Sequence, residues 1–103
     1  MNNTTKPIQS IGELTMAAAR ILAANHSRLT DPGDSSTKNT EHRYMVFKLL
    51  DKAGHTHQQI ADSFKLERST VTKGIQKIDD WMRIYKDMKG TYQRLEILAL
   101  NTL

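Results

Sequence analysis

An all-α fold is what this sequence predicts: a helical bundle of five to six helices, folded as one domain over residues 1–103. Apolar residues recur at steps of three and four along most of the chain, while strand-like alternation is scarce. Residues that start and stop helices punctuate those stretches at short intervals. With 103 residues and 11.7 kDa, the chain has room for one domain and none for a separate catalytic module of ordinary size.

Residues 1–7 read as a frayed terminus. The first helix is expected from Ser10 to Asn25. Ser10 and Glu13 have the spacing of a capping box, in which each side chain meets the other residue's free amide. Ile11, Leu14, Ala18, Ile21 and Leu22 form its apolar stripe. Residues 30–40 are rich in Ser, Thr, Asn and Asp and contain Pro32-Gly33, so they read as a loop. Thr40 is expected to cap a helix over Glu41 to Lys52, whose stripe is Tyr44, Met45, Phe47, Leu49 and Leu50 plus the stem of Lys48. Gly54 ends it in the left-handed conformation.

Thr56 then serves as the N-cap of a short helix over His57 to Phe64. Lys65-Leu66-Glu67 form a turn, and a longer helix starts at Arg68 or Ser69 and runs through Val71, Ile75, Ile78, Met82 and Tyr85. Lys89-Gly90-Thr91 is the expected break. A last helix carries Tyr92, Leu95, Leu98 and Ala99, and its apolar run to Leu103 is expected to pack on the first helix.

Fifteen basic residues against eleven acidic ones give a net charge of +4. That excess permits a polyanionic partner without requiring one. The lack of cysteine excludes disulfides, thiolate metal sites and cysteine nucleophiles. No apolar run approaches the roughly 20 residues that span a bilayer, and the N-terminus has no secretory pattern, so a cytoplasmic protein without a membrane partner is expected.

The informative stretch is Thr56 to Ile78. Two helices joined by so short a turn cross steeply only where their backbones approach closely. Ile60, Phe64, Leu66, Val71 and Ile75 supply a small shared core, and Ala61 stands where a larger side chain would block the second helix. This is the pattern of a helix-turn-helix. Lys65 stands where many such turns place glycine, and a left-handed lysine costs about 1 kcal/mol.

With Val71, Ile75 and Ile78 turned inward, Arg68, Ser69, Thr72, Lys73 and Gln76 share the outward face. Arginine binds guanine at two points, glutamine pairs with adenine, and hydroxyl side chains meet bases or phosphates. Four basic residues, Lys65, Arg68, Lys73 and Lys77, face a single acidic one, Glu67, between positions 65 and 77. Thr70, His57 at a helix start and Arg43 complete the candidate DNA-binding set.

The stretch from Arg43 to Leu95 resembles the C-terminal DNA-binding domain of the bacterial replication initiator DnaA. Arg43-Tyr44-Met45 is similar to the opening of that domain's long helix. His55-Thr56-His57-Gln58-Gln59-Ile60-Ala61-Asp62-Ser63-Phe64 follows its H-S-x-x-E-I-G-x-x-F run, and Arg68-Ser69-Thr70-Val71 stands where it has H-T-T-V. Lys77-Ile78, then Asp87-Met88-Lys89 with Tyr92 and Leu95, keep the spacing of its later positions. Thr70-Val71-Thr72-Lys73-Gly74 likewise resembles the T-I-T-R-G of the Trp repressor.

The resemblance implies a Trp repressor-like architecture and binding to double-stranded DNA, with roles in DNA replication, transcription regulation or mobile-element function. The departures bear on specificity. Lys65-Leu66 replace two glycines, one residue is missing near the turn, and Arg68 occupies the base-contacting histidine position. The loop before the long helix lacks the family's arginines. These residues hold no counterpart of its ATPase domain, so ATP-driven origin melting is not expected of them alone.

Other features carry less. His26, His42, His55 and His57 lack metal-ligand spacing, so neither metal nor cofactor is implied. Asp79 and Asp80 point in different directions and read as solvated, with Asp80 paired loosely to Arg83. Trp81 reads as core or interface. The serines have no His/Asp partner, so no enzyme chemistry is expected. Two further readings stand beside DNA binding. One is a helical adaptor that binds a protein partner through residues 92–103, a surface that as a homodimer contact would instead suit a palindromic DNA site. The other is a phage small packaging subunit, which would also carry such a motif.

Overall fold

The structure, a computed structural model, describes residues 9–31, 33 and 36–100. Among them six helices form and no strand: α1 (Ile11–Ile21), α2 (His26–Leu29), α3 (Thr37–Lys52), α4 (His57–Phe64), α5 (Arg68–Ile84) and α6 (Lys86–Leu100). The all-α expectation holds. No helix is long and apolar enough to cross a membrane. Residues 1–7, Pro32 of the turn signal and Leu103 of the C-terminal run lie outside the described residues.

The capping box at α1 forms as expected: the Glu13 amide donates to Ser10 Oγ at 3.0 Å, and the Ser10 amide donates to Glu13 Oε1 at 3.2 Å. The helix ends at Ile21, short of Asn25. Ala23 turns into the left-handed region at φ 55°, and its amide and that of Ala24 bond back to Arg20 and Ala19. Asn25 instead caps α2 by accepting from the Arg28 amide at 3.2 Å. Alanine favours helix, but it does not prevent this cap, and Asn25, a strong N-cap residue, starts a second helix here.

The next boundary also moves. α3 begins at Thr37 after Ser36, not at Glu41 after Thr40, and the Thr40 amide bonds to the Ser36 carbonyl at 2.9 Å. Composition alone marked 30–40 as a loop. The chain shortens that loop because Asn39, inside the new turn of helix, donates from Nδ2 to the Arg28 carbonyl at 2.9 Å. A tertiary bond overrides the weak helix propensity of this segment.

α3 is the axis of the bundle and packs against each of the other five helices. Met45, Val46, Phe47, Leu49 and Leu50 are all buried, with Tyr44 and Lys48 half-buried at the margins. Leu14, Ala18, Leu29, Ile60, Phe64, Val71, Ile78, Tyr92 and Leu95 join them in one core. Phe47 sits edge-on to Phe64 at 5.1 Å between centroids, and Tyr44 stacks on Trp81 at 5.9 Å. Trp81 is thus an interhelical packing group, as its sequence context suggested.

α5 comes closest to α3 at Gly74. A methyl built there would lie 2.8 Å from Tyr44 Cδ1 and 3.1 Å from Phe47 Cδ2, well inside contact distance. The missing side chain is what lets the two helices touch. The break expected at Gly90 lies instead at Tyr85, whose extended backbone (φ −107°, ψ 104°) separates α5 from α6. Gly90 lies inside α6, with open space around it. The turn at Tyr85 redirects the chain so that Tyr92, Leu95 and Ala99 pack back on the bundle. Ile97 and Leu98, by contrast, stay 57% and 41% exposed, so the C-terminal run divides between core and surface.

Gly74→Ala is expected to destabilise the fold by about 1–3 kcal/mol, the usual cost of overpacking a close contact. Gly90→Ala should stabilise it by roughly 0.5–1 kcal/mol, because its helical site is unobstructed. Urea unfolding of the two variants measures both, and equal effects at the two positions would contradict the packing described.

Candidate nucleic-acid interface

α4 and α5 are joined by Lys65, Leu66 and Glu67. Thr56 caps α4 as expected, and a reciprocal bond from its amide to Gln59 Oε1 at 2.9 Å completes a capping box. At the other end Lys65 adopts φ 57°, ψ 45°, the left-handed conformation. Its amide bonds to the Asp62 carbonyl, and the Leu66 amide reaches the Ala61 carbonyl at 2.8 Å. This pair of bonds is a Schellman motif, with Leu66 folded onto the core. Ala61 and Phe64 are buried beneath it, so packing offsets the lysine's strain.

Ala23 after α1 and Gly54 after α3 carry the same pair of bonds. Three helices thus end alike, yet only one of the three positions is glycine. The sequence signal for this cap is a glycine at Gly54, is replaced by lysine at Lys65 and is absent at Ala23.

With Val71, Gly74, Ile75 and Ile78 buried, α5 turns Arg68, Ser69, Lys73 and Gln76 to solvent, with Thr72 half-buried among them. These five side chains and His57 line one open depression of about 500 Å³. His57 fixes its edge: Nδ1 lies 2.7 Å from Thr72 Oγ1, and Nε2 lies 3.2 Å from Asp51 Oδ1. One imidazole thereby ties the start of α4 to α5 and to the end of α3.

The other expected site residues are placed differently. Lys65 is exposed at the turn, outside the depression. Lys77 is exposed too, but its ammonium lies over the Trp81 ring, 6.0 Å from the centroid. Thr70 is half-buried and does not line the depression.

Arg43 is a correction. It is only 7% exposed, and its guanidinium donates to the carbonyls of Leu29 at 3.0 Å and Asp31 at 2.6 Å. These carbonyls lie at the C-terminal end of α2 and just beyond it, where a cation is favoured. Arg43 therefore anchors the segment after α2 to α3 and is not available to DNA. Asp79 keeps 43% of its side chain exposed but is also paired: Lys48 Nζ reaches Asp79 Oδ1 at 2.7 Å across helices, while Asp80 pairs with Arg83 as expected.

A second cleft went unseen in the sequence. Lys48 and Lys52 of α3, Arg83 of α5, and Lys86 and Lys89 of α6 surround a volume of about 490 Å³. Tyr92 and Glu96 also line it, and the Tyr92 hydroxyl donates to Glu96 Oε1 at 2.8 Å. Burial, then the bond and charge of Glu96, push the Tyr92 phenol far above its usual pKa, so it remains a neutral donor. No spacing rule joins cations from three helices, which is why only the folded chain reveals this group. Comparison with protein-family models and with curated proteins finds no match for the chain.

Replacing Arg43 with leucine is expected to lower stability by about 2–3 kcal/mol, because the buried Leu29 carbonyl and the part-buried Asp31 bond lose their charged donor. Thermal and urea unfolding test this, and a neutral effect would contradict the anchoring role. Lys65→Gly is expected to raise stability by up to about 1 kcal/mol by removing the left-handed strain. An unchanged urea midpoint would mean that Lys65 carries no such strain.

Proposed function

We propose that this chain binds double-stranded DNA, with α4, its turn and α5 acting as a helix-turn-helix. The first half of α5 enters the major groove. The observation that carries this reading is the continuous outward surface of His57, Arg68, Ser69, Thr72, Lys73 and Gln76. Four of those side chains are exposed, and none of the six is acidic. A major groove about 12 Å wide admits a single helix, and such a helix needs donors and acceptors on its outer face.

The roles divide by chemistry. Arg68 and Gln76 have the paired groups that read guanine and adenine edges. Lys73, Lys65 and Lys77 supply cations for phosphates, which position the protein without reading sequence. His57 and Thr72, held by each other, give that surface a fixed edge and suit a polar contact with backbone or base. Arg68 in place of the histidine of the DnaA-like pattern points to a different preferred sequence. The resemblance to that initiator and to the Trp repressor supports the same reading, with a role in replication, transcription or mobile-element biology.

With about four phosphates engaged, the logarithm of the binding constant should fall against log salt with a slope of about −3.6 or steeper. Lys73→Glu should weaken binding by about tenfold or more, equivalent to at least 1.4 kcal/mol, with an unchanged circular dichroism spectrum. Fluorescence anisotropy of a labelled duplex pool between 50 and 200 mM salt measures both. A folded protein that binds no duplex at the low-salt end overturns the reading.

A further inference from the structure

We infer that the cleft between the ends of α3 and α5 and the start of α6 is a second phosphate-binding surface, which holds the sugar-phosphate backbone of the same duplex. The inference rests on the DNA-binding reading but concerns residues outside the surface that carries it.

Geometry comes first. Arg68, Thr72, Gln76, Asp79 and Arg83 follow one another at steps of three and four, so they lie on one face of α5. Arg83 lies eleven residues after Thr72, which is about 16 Å along the axis. The whole helix has 17 residues and spans about 25 Å. A groove about 12 Å wide takes only part of that length. Where the first half of α5 lies in the groove, the second half emerges over a flanking phosphate strand. The cationic cleft is what the protein presents there.

Charge comes second. Two carboxylates beside the cleft are ion-paired, Asp79 with Lys48 and Asp80 with Arg83. Glu96 accepts only from the neutral Tyr92 and keeps its charge, so five cations line the cleft against one carboxylate. Lys52, Lys86 and Lys89 are exposed, and among the described residues none has a carboxylate within ion-pair distance. Three unpaired ammonium groups around one concavity make a local positive potential that favours an anion. A phosphodiester chain fits this need. It carries one charge per nucleotide, each well separated, and asks for no aromatic slot. The Tyr92 ring offers none, because Lys48 Nζ already lies over it at 5.7 Å from the centroid.

The test uses the full chain and the triple variant Lys52→Gln/Lys86→Gln/Lys89→Gln, which removes the charges and keeps polarity and helix propensity. Its salt slope should be shallower than that of the unaltered protein by about 2.7, at about 0.9 per lost phosphate contact. Lys73→Gln should flatten the slope by about 0.9 through the α5 surface. Arg20→Gln, on α1, should leave it unchanged. An unaltered slope in the triple variant beside a flattened one in Lys73→Gln overturns this inference and leaves the α5 reading standing. Flattening by Arg20→Gln as large per charge as in the triple variant also overturns it, since that is the signature of net charge and not of contact. Failure of the folded, unaltered protein to bind duplex overturns both.

Discussion

The approach of α5 to α3 at Gly74 is the contact on which the rest of the arrangement depends. Ring carbons of Tyr44 and Phe47 lie there, and a single added carbon would meet them at 2.8 and 3.1 Å. Because the backbone itself is the contact surface, α5 has one depth and little freedom to roll. Val71, Ile75 and Ile78 can then face inward, and Phe47 can reach Phe64 on α4. The outward surface of α5 is the consequence of that inward fit. Arg68, Ser69, Lys73 and Gln76 face solvent because the opposite side of the same helix is committed to α3.

The polar contacts set the remaining degrees of freedom. The turn after α4 is fixed by two backbone bonds at Lys65 and Leu66, with a strained lysine at its apex. His57 then connects α4, α5 and α3 through Thr72 and Asp51. Arg43 performs a similar service on the opposite flank by gathering the carbonyls beyond α2. In each case a residue type common in nucleic-acid contacts is used wholly or partly for construction. The difference between Arg43 and Arg68 is burial, not chemistry.

The modest net charge of +4 acquires meaning through its distribution. Acidic side chains near the C-terminal half of α5 are answered by Lys48 and Arg83, so that end of the helix is not simply negative. The surplus remains on the first half of α5 and around the α3–α5–α6 cleft. Coulombic attraction to a polyanion depends on such local excess more than on the total, and both regions border the same face of one helix.

Much of this was legible in the chain itself. Ser10 with Glu13, Thr56 before His57, Gly54 after Lys52, and the periodic apolar positions of α4 and α5 are local signals, and each element formed where its signal lay. The five outward residues of α5 followed from helical period alone. What the sequence left undecided were outcomes of competition between distant groups. α1 stopped early because Asn25 found a second helix to cap. α3 started early because Asn39 found a carbonyl eleven residues away. The chain bent at Tyr85, and not at Gly90, because α6 had to return its apolar side to the core. Arg43 left the candidate surface, and five cations from three helices met at one cleft, for the same reason. Helix period and caps are encoded within a turn or two of chain, whereas burial and the pairing of charges depend on which distant segments the core brings together.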